Sequence, residues 1–310
     1  MDFTLSDDQQ LLRDTARGLL EKECPPSLVR AYQDDATSAD GLWKHLSEWL
    51  ELGNGPLVDL CLFLEELGAV VAPGPFFSST VLWAPLGLDG TGTVAFLNEP
   101  AMPWVLDANS VDKVAIVDGD SLTVVETSSL EIQPVESIDW TRNASNLGKA
   151  PEKQGQAAPA TDFGGVQGLW ERAWVAISAE LVGTARTLLA KTIAYAKERR
   201  QFDRPIGSFQ AIQHKLADMA LAWEQAWSAV YYAAMAIDAG DDDRHRAAHV
   251  AKIMAGEAAK RAAKDGIQIH GGIGYTWEHD LHLFIRRAYG SEHLFGTCDW
   301  HRDRLADLIL

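Results

Sequence analysis

The feature that most limits what this chain can become is its C-terminal half. From 169 to 310, apolar residues recur at i, i+3, i+4 and i+7 in long runs. The runs are Leu169 to Arg200, Ser208 to Ala239, Asp242 to Ile269 and a last one from His279 onward, each separated from the next by a short break. Amphipathic helices of that length, joined that closely, can bury their apolar faces only against one another, so a helical bundle is expected over 169–310. Trp223 and Trp227, one turn apart, fit a core or a subunit interface better than a ligand cage.

The zone 1–88 also reads as helical. Leu5 to Glu23 opens on Ser6 with Gln9 three residues later, the capping-box pattern, and Cys24-Pro25-Pro26 ends it. Further helices are expected over Leu42 to Leu52 and Leu57 to Leu67, the latter closed by Gly68. Residues 89–148 read as a small antiparallel β domain. Thr93 to Leu97, Lys113 to Val117 and Leu122 to Val125 are short and β-branched, and Asp118-Gly119-Asp120 makes a hairpin turn between the last two. The stretch from about 141 to 168 lacks periodicity, and Lys149 to Ala160 reads as a mobile linker or long loop.

Net charge is -17, which disfavours nucleic acid and anionic membranes as partners, because both repel an acidic surface. Cys24, Cys61 and Cys298 lie far apart without metal-ligand spacing, which argues against zinc or a disulfide framework and fits a reducing cytoplasm. The acidic start Met-Asp-Phe-Thr shows no signal peptide. The apolar stretch Leu57 to Pro73 is broken by Asp59, Glu65 and Glu66 and is too short to span a bilayer.

Against this acidic background one segment is basic. Lys197 to Lys215 carries five basic and two acidic side chains, and it begins where the first long helix ends, at Lys197-Glu198-Arg199-Arg200-Gln201-Phe202-Asp203-Arg204. Arginine there offers a planar donor fork suited to phosphate oxygens, and Phe202 a face for a flat ring. The same residues also suit a solvated helix end, where cations meet the C-terminal dipole. A second segment, Gln268-Ile269-His270-Gly271-Gly272-Ile273-Gly274-Tyr275, ends another long helix with more glycines than a cap requires. Its amides could cradle a phosphate, although no strand precedes it and the spacing is not a dinucleotide fingerprint.

These two segments, with Gly207-Ser208-Phe209-Gln210-Ala211-Ile212-Gln213-His214-Lys215 between them, closely resemble the C-terminal domain of acyl-CoA dehydrogenases. Phe3-Thr4-Leu5-Ser6-Asp7-Asp8-Gln9-Gln10 and Leu64-Glu65-Glu66-Leu67-Gly68 are also typical of that family. The resemblance is strong over 165–310, fair over 1–75 and weak between. It implies a mainly α fold: an N-terminal helical domain (1–88), a reduced middle β domain (89–148), a linker (149–168) and a C-terminal four-helix bundle (169–310). It also implies FAD as cofactor, α,β-desaturation of an acyl-CoA thioester, and tetramers in which each FAD lies across a subunit interface. Arg199, Phe202, Gln268, Gly271 and Gly272 match the residues that reach the pyrophosphate and adenosine side of a neighbour's FAD. The glycine that usually follows the phenylalanine is Asp203 here.

The departures from the family pattern are as informative. Where many members carry the catalytic glutamate in a Glu-Gly-Thr, this chain has Phe295-Gly296-Thr297. Other members place the base near the start of the first long helix, and that position falls on Ala173. Glu171 lies two residues away, about 200° round a helix, so it is a weak candidate base beside its simpler reading as a first-turn carboxylate. Thr-Glu-Pro followed by Gly-Ser-Asp, and Trp-x-Thr-Ser, are missing from the middle region. The pattern resembles the shortened, non-catalytic chain of α2β2 steroid acyl-CoA dehydrogenases of actinobacteria. On that reading a full-length catalytic subunit is the partner, and the complex acts in the β-oxidation of steroid side chains. A self-sufficient dehydrogenase using Glu171, and a structural or regulatory protein that kept only the fold, remain as alternatives.

Overall fold

A computed structural model describes residues 3–148, 156–157 and 164–310. Helix α1 (Asp7–Glu23) starts as its sequence dictates: the Ser6 side chain accepts from Gln9 N, and the Gln9 side chain returns to the Ser6 amide. Cys24 ends α1, but Pro26 then opens a new helix, α2 (Pro26–Asp34), instead of a loop. Proline at the first helical turn needs no N–H partner and has its φ preset, so it starts a helix as readily as it stops one. The helix expected over Leu42 to Leu52 divides into α3 (Asp40–Leu46) and a 3-10 stretch, Ser47–Asn54. Helix α4 (Leu57–Val70) runs past Gly68 and ends at Val71 in the left-handed conformation. A π-helical segment, Ser78–Trp83, leads into the β region.

Strands β1 (Gly92–Phe96), β2 (Val105–Leu106), β3 (Lys113–Asp118), β4 (Ser121–Glu126), β5 (Ile132–Val135), β6 (Ala144–Leu147) and β7 (Gln156–Ala157) form two sheets, ordered β1-β3-β4-β7 and β2-β6-β5. The β3–β4 hairpin pairs antiparallel across Gly119 (φ 56) as expected. The wholly antiparallel expectation fails at β1, which lies parallel to β3. The chain between these two strands makes β2 and a 3-10 turn, a crossover that returns it to the same edge in the same sense. Most of the 149–168 segment, including nearly all of Lys149 to Ala160, lies outside the described residues.

Helix α5 (Gly165–Glu198) begins before Leu169, entered through Gly164 and Gly165 at φ 82 and 70. It is long and apolar enough to cross a membrane by length and composition, but 83% of its apolar window is buried inside the protein. Helices α6 (Gln210–Asp238), α7 (Arg244–His270) and α8 (Leu281–His293) complete the bundle around it, and α9 (Cys298–Ile309) packs on α7. On α7 a ridge of small residues, Ala247, Ala251, Ala255, Ala259 and Ala263, recurs every fourth position and is buried along its length. Such a ridge lets neighbouring helices approach closely.

Helices α4 and α5 cross at a reciprocal glycine contact. A Cβ on Gly68 would strike the backbone at Glu180, and one on Gly183 the backbone at Glu65. Beside the crossing, Arg186 pairs with Glu65 and Glu66, Arg17 reaches Glu66 at 2.9 Å, and the Tyr231 hydroxyl donates to Glu65 at 3.0 Å. The N-terminal helices, the bundle and one face of the first sheet share one apolar core.

Candidate functional site

Two of the helices end side by side. The Tyr195 ring near the end of α5 stacks on His270, the last residue of α7, with centroids 4.4 Å apart and planes at 19°. This contact brings the two sequence segments to the same end of the bundle. Beyond Tyr195, the chain turns through a two-stranded hairpin, β8 (Arg200–Gln201) and β9 (Arg204–Pro205). Its two turn residues are Phe202 and Asp203 at φ 51 and 59. Positive φ at both positions marks a type I′ turn, the form that matches strand twist. Aspartate tolerates the left-handed region, so Asp203 makes the turn without the usual glycine. A phenyl-bearing residue is an outlier there, and Phe202 is nonetheless 86% exposed.

The donors around this hairpin differ in availability. Arg200 donates to the Asp203 carbonyl at 2.7 Å, and the Arg204 guanidinium lies 4.1 Å from the Phe209 ring centroid. The Arg199 side chain is exposed and has no hydrogen bond or ion pair among the described residues, and the same holds for the Gln268 side chain. Gly271 has φ 63, and both it and Gly272 face open space where a Cβ would stand. One end of the bundle therefore presents a free guanidinium, a free amide, an exposed aromatic face and two bare glycines. That donor set fits the phosphates and flat ring of a nucleotide-type ligand.

The positions of the two possible bases lie elsewhere, in the core. Phe295 and Ala173 are both fully buried. The Phe295 ring packs against Phe77 (5.9 Å) and edge-on to Trp170 (6.1 Å), which in turn contacts Phe96 (4.3 Å) and Trp174 (6.0 Å). The turn carrying Phe295, at φ 58, is fixed from three sides: Gly296 N donates to Ala101 O at 2.8 Å, Lys252 donates to Gly296 O at 2.8 Å, and His301 Nε2 lies 3.0 Å from Phe295 O. Beside Phe77 sits the Arg142 guanidinium, 5.1 Å from its ring centroid. Arg142 belongs to a buried ionic network in which it pairs with Glu180, while Arg287 bonds Asp139 (2.7 Å), Glu180 (3.3 Å), Thr141 (2.6 Å) and Ala72 O (3.0 Å). Nothing in the sequence patterns signalled this network, whose members come from four separate regions of the chain.

Glu171 is turned away from Ala173, toward the start of α7. Its nearly buried carboxylate meets Arg244 Nε at 3.2 Å, His245 Nδ1 at 3.1 Å and Gln167 Nε2 at 3.4 Å. Burial pushes this carboxyl up, but the bonds from His245 and Gln167 and the charges of His245 and Arg244 outweigh it and hold it below its ordinary value. Such a carboxylate is a poor proton acceptor.

The model of the acyl-CoA dehydrogenase C-terminal domain matches residues 169–310. The acyl-CoA dehydrogenase IpdE2 of Mycolicibacterium smegmatis is 33% identical over 315 residues, an alignment covering 94% of this chain and 96% of that protein. The chain belongs to the acyl-CoA dehydrogenase family. Its fold is shared with the ChsE4–ChsE5 complex of Mycobacterium tuberculosis at TM-score 0.84 and 21% identity, covering 99% of this chain and 98% of the matched one. The Tcur3481–Tcur3483 steroid ACAD matches at TM-score 0.81 and 24% identity, again covering 99% and 98%. In this acyl-CoA dehydrogenase fold the Arg199–Phe202 and Gln268–Gly272 segments share one exposed edge, whereas Phe295 and Ala173 share the interior.

Proposed function

We propose that this chain is the non-catalytic, FAD-contacting subunit of a heteromeric acyl-CoA dehydrogenase. A full-length catalytic chain would complete an α2β2 tetramer, and the acyl group would be a steroid side-chain CoA ester. The observation that carries the reading is the contrast between two regions. Both positions where the family keeps its base are apolar and fully buried, while Arg199 and Gln268 on the edge suited to a neighbour's cofactor are exposed and without partners among the described residues. The similar solved structures add support, since they include a steroid ACAD and a complex of two ChsE chains.

FAD supplies the hydride acceptor that no side chain provides. In this chain Arg199 would donate to pyrophosphate oxygens and Phe202 would lie against a flat ring of the cofactor. Gln268 with the bare backbone at Gly271 and Gly272 would meet the adenosine side. The Tyr195–His270 stack would hold the two segments in register. Glu171 would stay paired with Arg244 and His245 and take no proton.

The test is flavin content and turnover of the chain purified alone and co-expressed with a full-length partner. The expected result is a colourless lone chain and a yellow, active complex. Bound FAD with turnover in the lone chain, abolished by Glu171→Gln, would overturn the proposal. A stable complex without flavin would instead favour a purely structural role.

A further inference from the structure

The glycine turn at the open edge is the first half of an excursion, residues 271–280, that joins α7 to α8. Gly271–Tyr275 form a 3-10 turn in which Gly274 alone is buried, packed so closely that a Cβ there would stand 3.0 Å from His270 Cβ. Residues 275–278 are all exposed. A surface loop with so little burial opens at small cost unless side chains from elsewhere hold it. We infer that Arg30 of α2 holds it, and is thereby a positioning residue for the backbone of Gly271 and Gly272. The inference rests on the flavin reading and adds to it a residue outside both segments of the edge.

The geometry is that of a strap. Arg30 Nη1 donates to Trp277 O at 2.6 Å, and Nη2 donates to Asp280 Oδ1 at 2.8 Å. His282 Nε2, on the first turn of α8, lies 3.2 Å from the same Nη1. One planar fork thus spans two points of the loop. The Arg30 side chain is 24% exposed and that of Asp280 32%, so this charge-assisted pair is screened less than one on open surface. The peptide just before Arg30 is fixed as well, because Trp140 Nε1 donates to Val29 O at 3.2 Å and the Trp140 ring lies 5.6 Å from that of Trp277. At the other end, the Tyr195–His270 stack holds the residue that precedes Gly271. With both ends held, the backbone at Gly271 and Gly272 is set before a cofactor arrives, and binding does not have to order it. Cutting the strap returns that ordering cost to the binding step.

The test is the FAD affinity of the complex with its catalytic partner, read by flavin fluorescence in a set of variants. Arg30→Gln should weaken FAD about three- to ten-fold. Arg30→Lys keeps the charge but cannot reach both acceptors with a planar fork, so it should recover only part of the loss. Gly272 lies outside the positive-φ region and has open space where a Cβ would stand. Gly272→Ala therefore leaves the free turn unstrained and crowds only a ligand lying on it. Arg30→Gln should add little to Gly272→Ala, since both act through one turn, and should multiply in full with Arg199→Ala on the other segment. A general loss of structure would multiply with both alike. Unchanged affinity in Arg30→Gln or in Gly272→Ala, or full multiplication of the two, would overturn the inference while Arg199→Ala still reports on the flavin reading. Affinity unmoved by Arg199→Ala and Gly272→Ala together would overturn that reading and this inference with it.

Discussion

Replacing Phe295 by glutamate puts the family's carboxylate back at the family's position, and the packing around Phe295 determines the outcome. The phenyl ring is fully buried against Phe77 and Trp170. Losing its burial costs about 2–3 kcal/mol. A carboxyl group in its place meets aromatic rings, and even when protonated it costs roughly 1–3 kcal/mol more without a partner. The sum, about 3–6 kcal/mol, is a large part of the roughly 5–15 kcal/mol that stabilises a typical domain. The introduced carboxyl would have its pKa raised by burial in the folded state. Stability is then lost as pH rises above the ordinary glutamate value, by about 1.4 kcal/mol for each unit of upward shift. Melting of the complex at fixed concentration, at pH 5.5 and pH 8, reads this directly, with Phe295→Leu as a volume-conserving control expected to cost less than about 1.5 kcal/mol. The glutamate variant should melt well below both, with the wider gap at pH 8, and the lone chain should stay inactive. Wild-type stability at both pH values, with turnover by the lone variant, would show that the aromatic cluster is a reaction chamber and not a packed core.

The same geometry sets other expectations. Arg199→Ala should lower FAD affinity of the complex about ten- to one-hundred-fold, read as flavin lost on gel filtration, with melting of the flavin-free protein unchanged because the side chain has no partner among the described residues of the chain. Arg287→Met should destabilise by about 3–5 kcal/mol in denaturant melts, since it strands Asp139 and Glu180 in the interior. Glu171→Gln should leave turnover of the complex intact. It should also flatten the acid limb of stability, because a carboxyl held below its ordinary value stabilises above the unfolded pKa and loses that contribution as pH falls through the folded one. Burial pushes His249 down to about 4 and His301 to about 2. The unfolded chain therefore takes up protons that the folded chain refuses, and the melting temperature should fall as pH drops from about 6.5 toward 4. The fall should be shallower in His249→Gln.

What the sequence disclosed and what it withheld divide along the range of the interaction. The α1 cap at Ser6 and Gln9 and the Gly119 turn are contacts between near neighbours, and both are legible from residue spacing. The bundle is legible because periodic apolar runs carry their own evidence of a buried face. Pro26 is not, because proline marks a helix start and a helix stop alike, and the residues on its C-terminal side decide between them. The parallel β1–β3 pairing cannot be read from strands whose composition says nothing of direction. At the candidate site, the two segments point to Arg199 and Gln268, but their convergence depends on Tyr195 meeting His270 75 residues later. The charged partners of Glu171 come from the start of α7, and in the Arg142–Glu180–Arg287 cluster the paired side chains lie 38 and 107 residues apart. Charge pairs at that range leave no trace in local spacing.

The bare backbone crossing at Gly68 and Gly183 has a mechanical consequence. With no side chain between the two helices, there is no soft layer along which one could slide past the other, and the pairs between Arg186 and Glu65 or Glu66 tie the same point laterally. The amino-terminal helices are thus welded to the bundle and cannot swing as a hinged arm. The hairpin at Phe202 and the glycine turn lie at the ends of α5 and α7, away from that crossing.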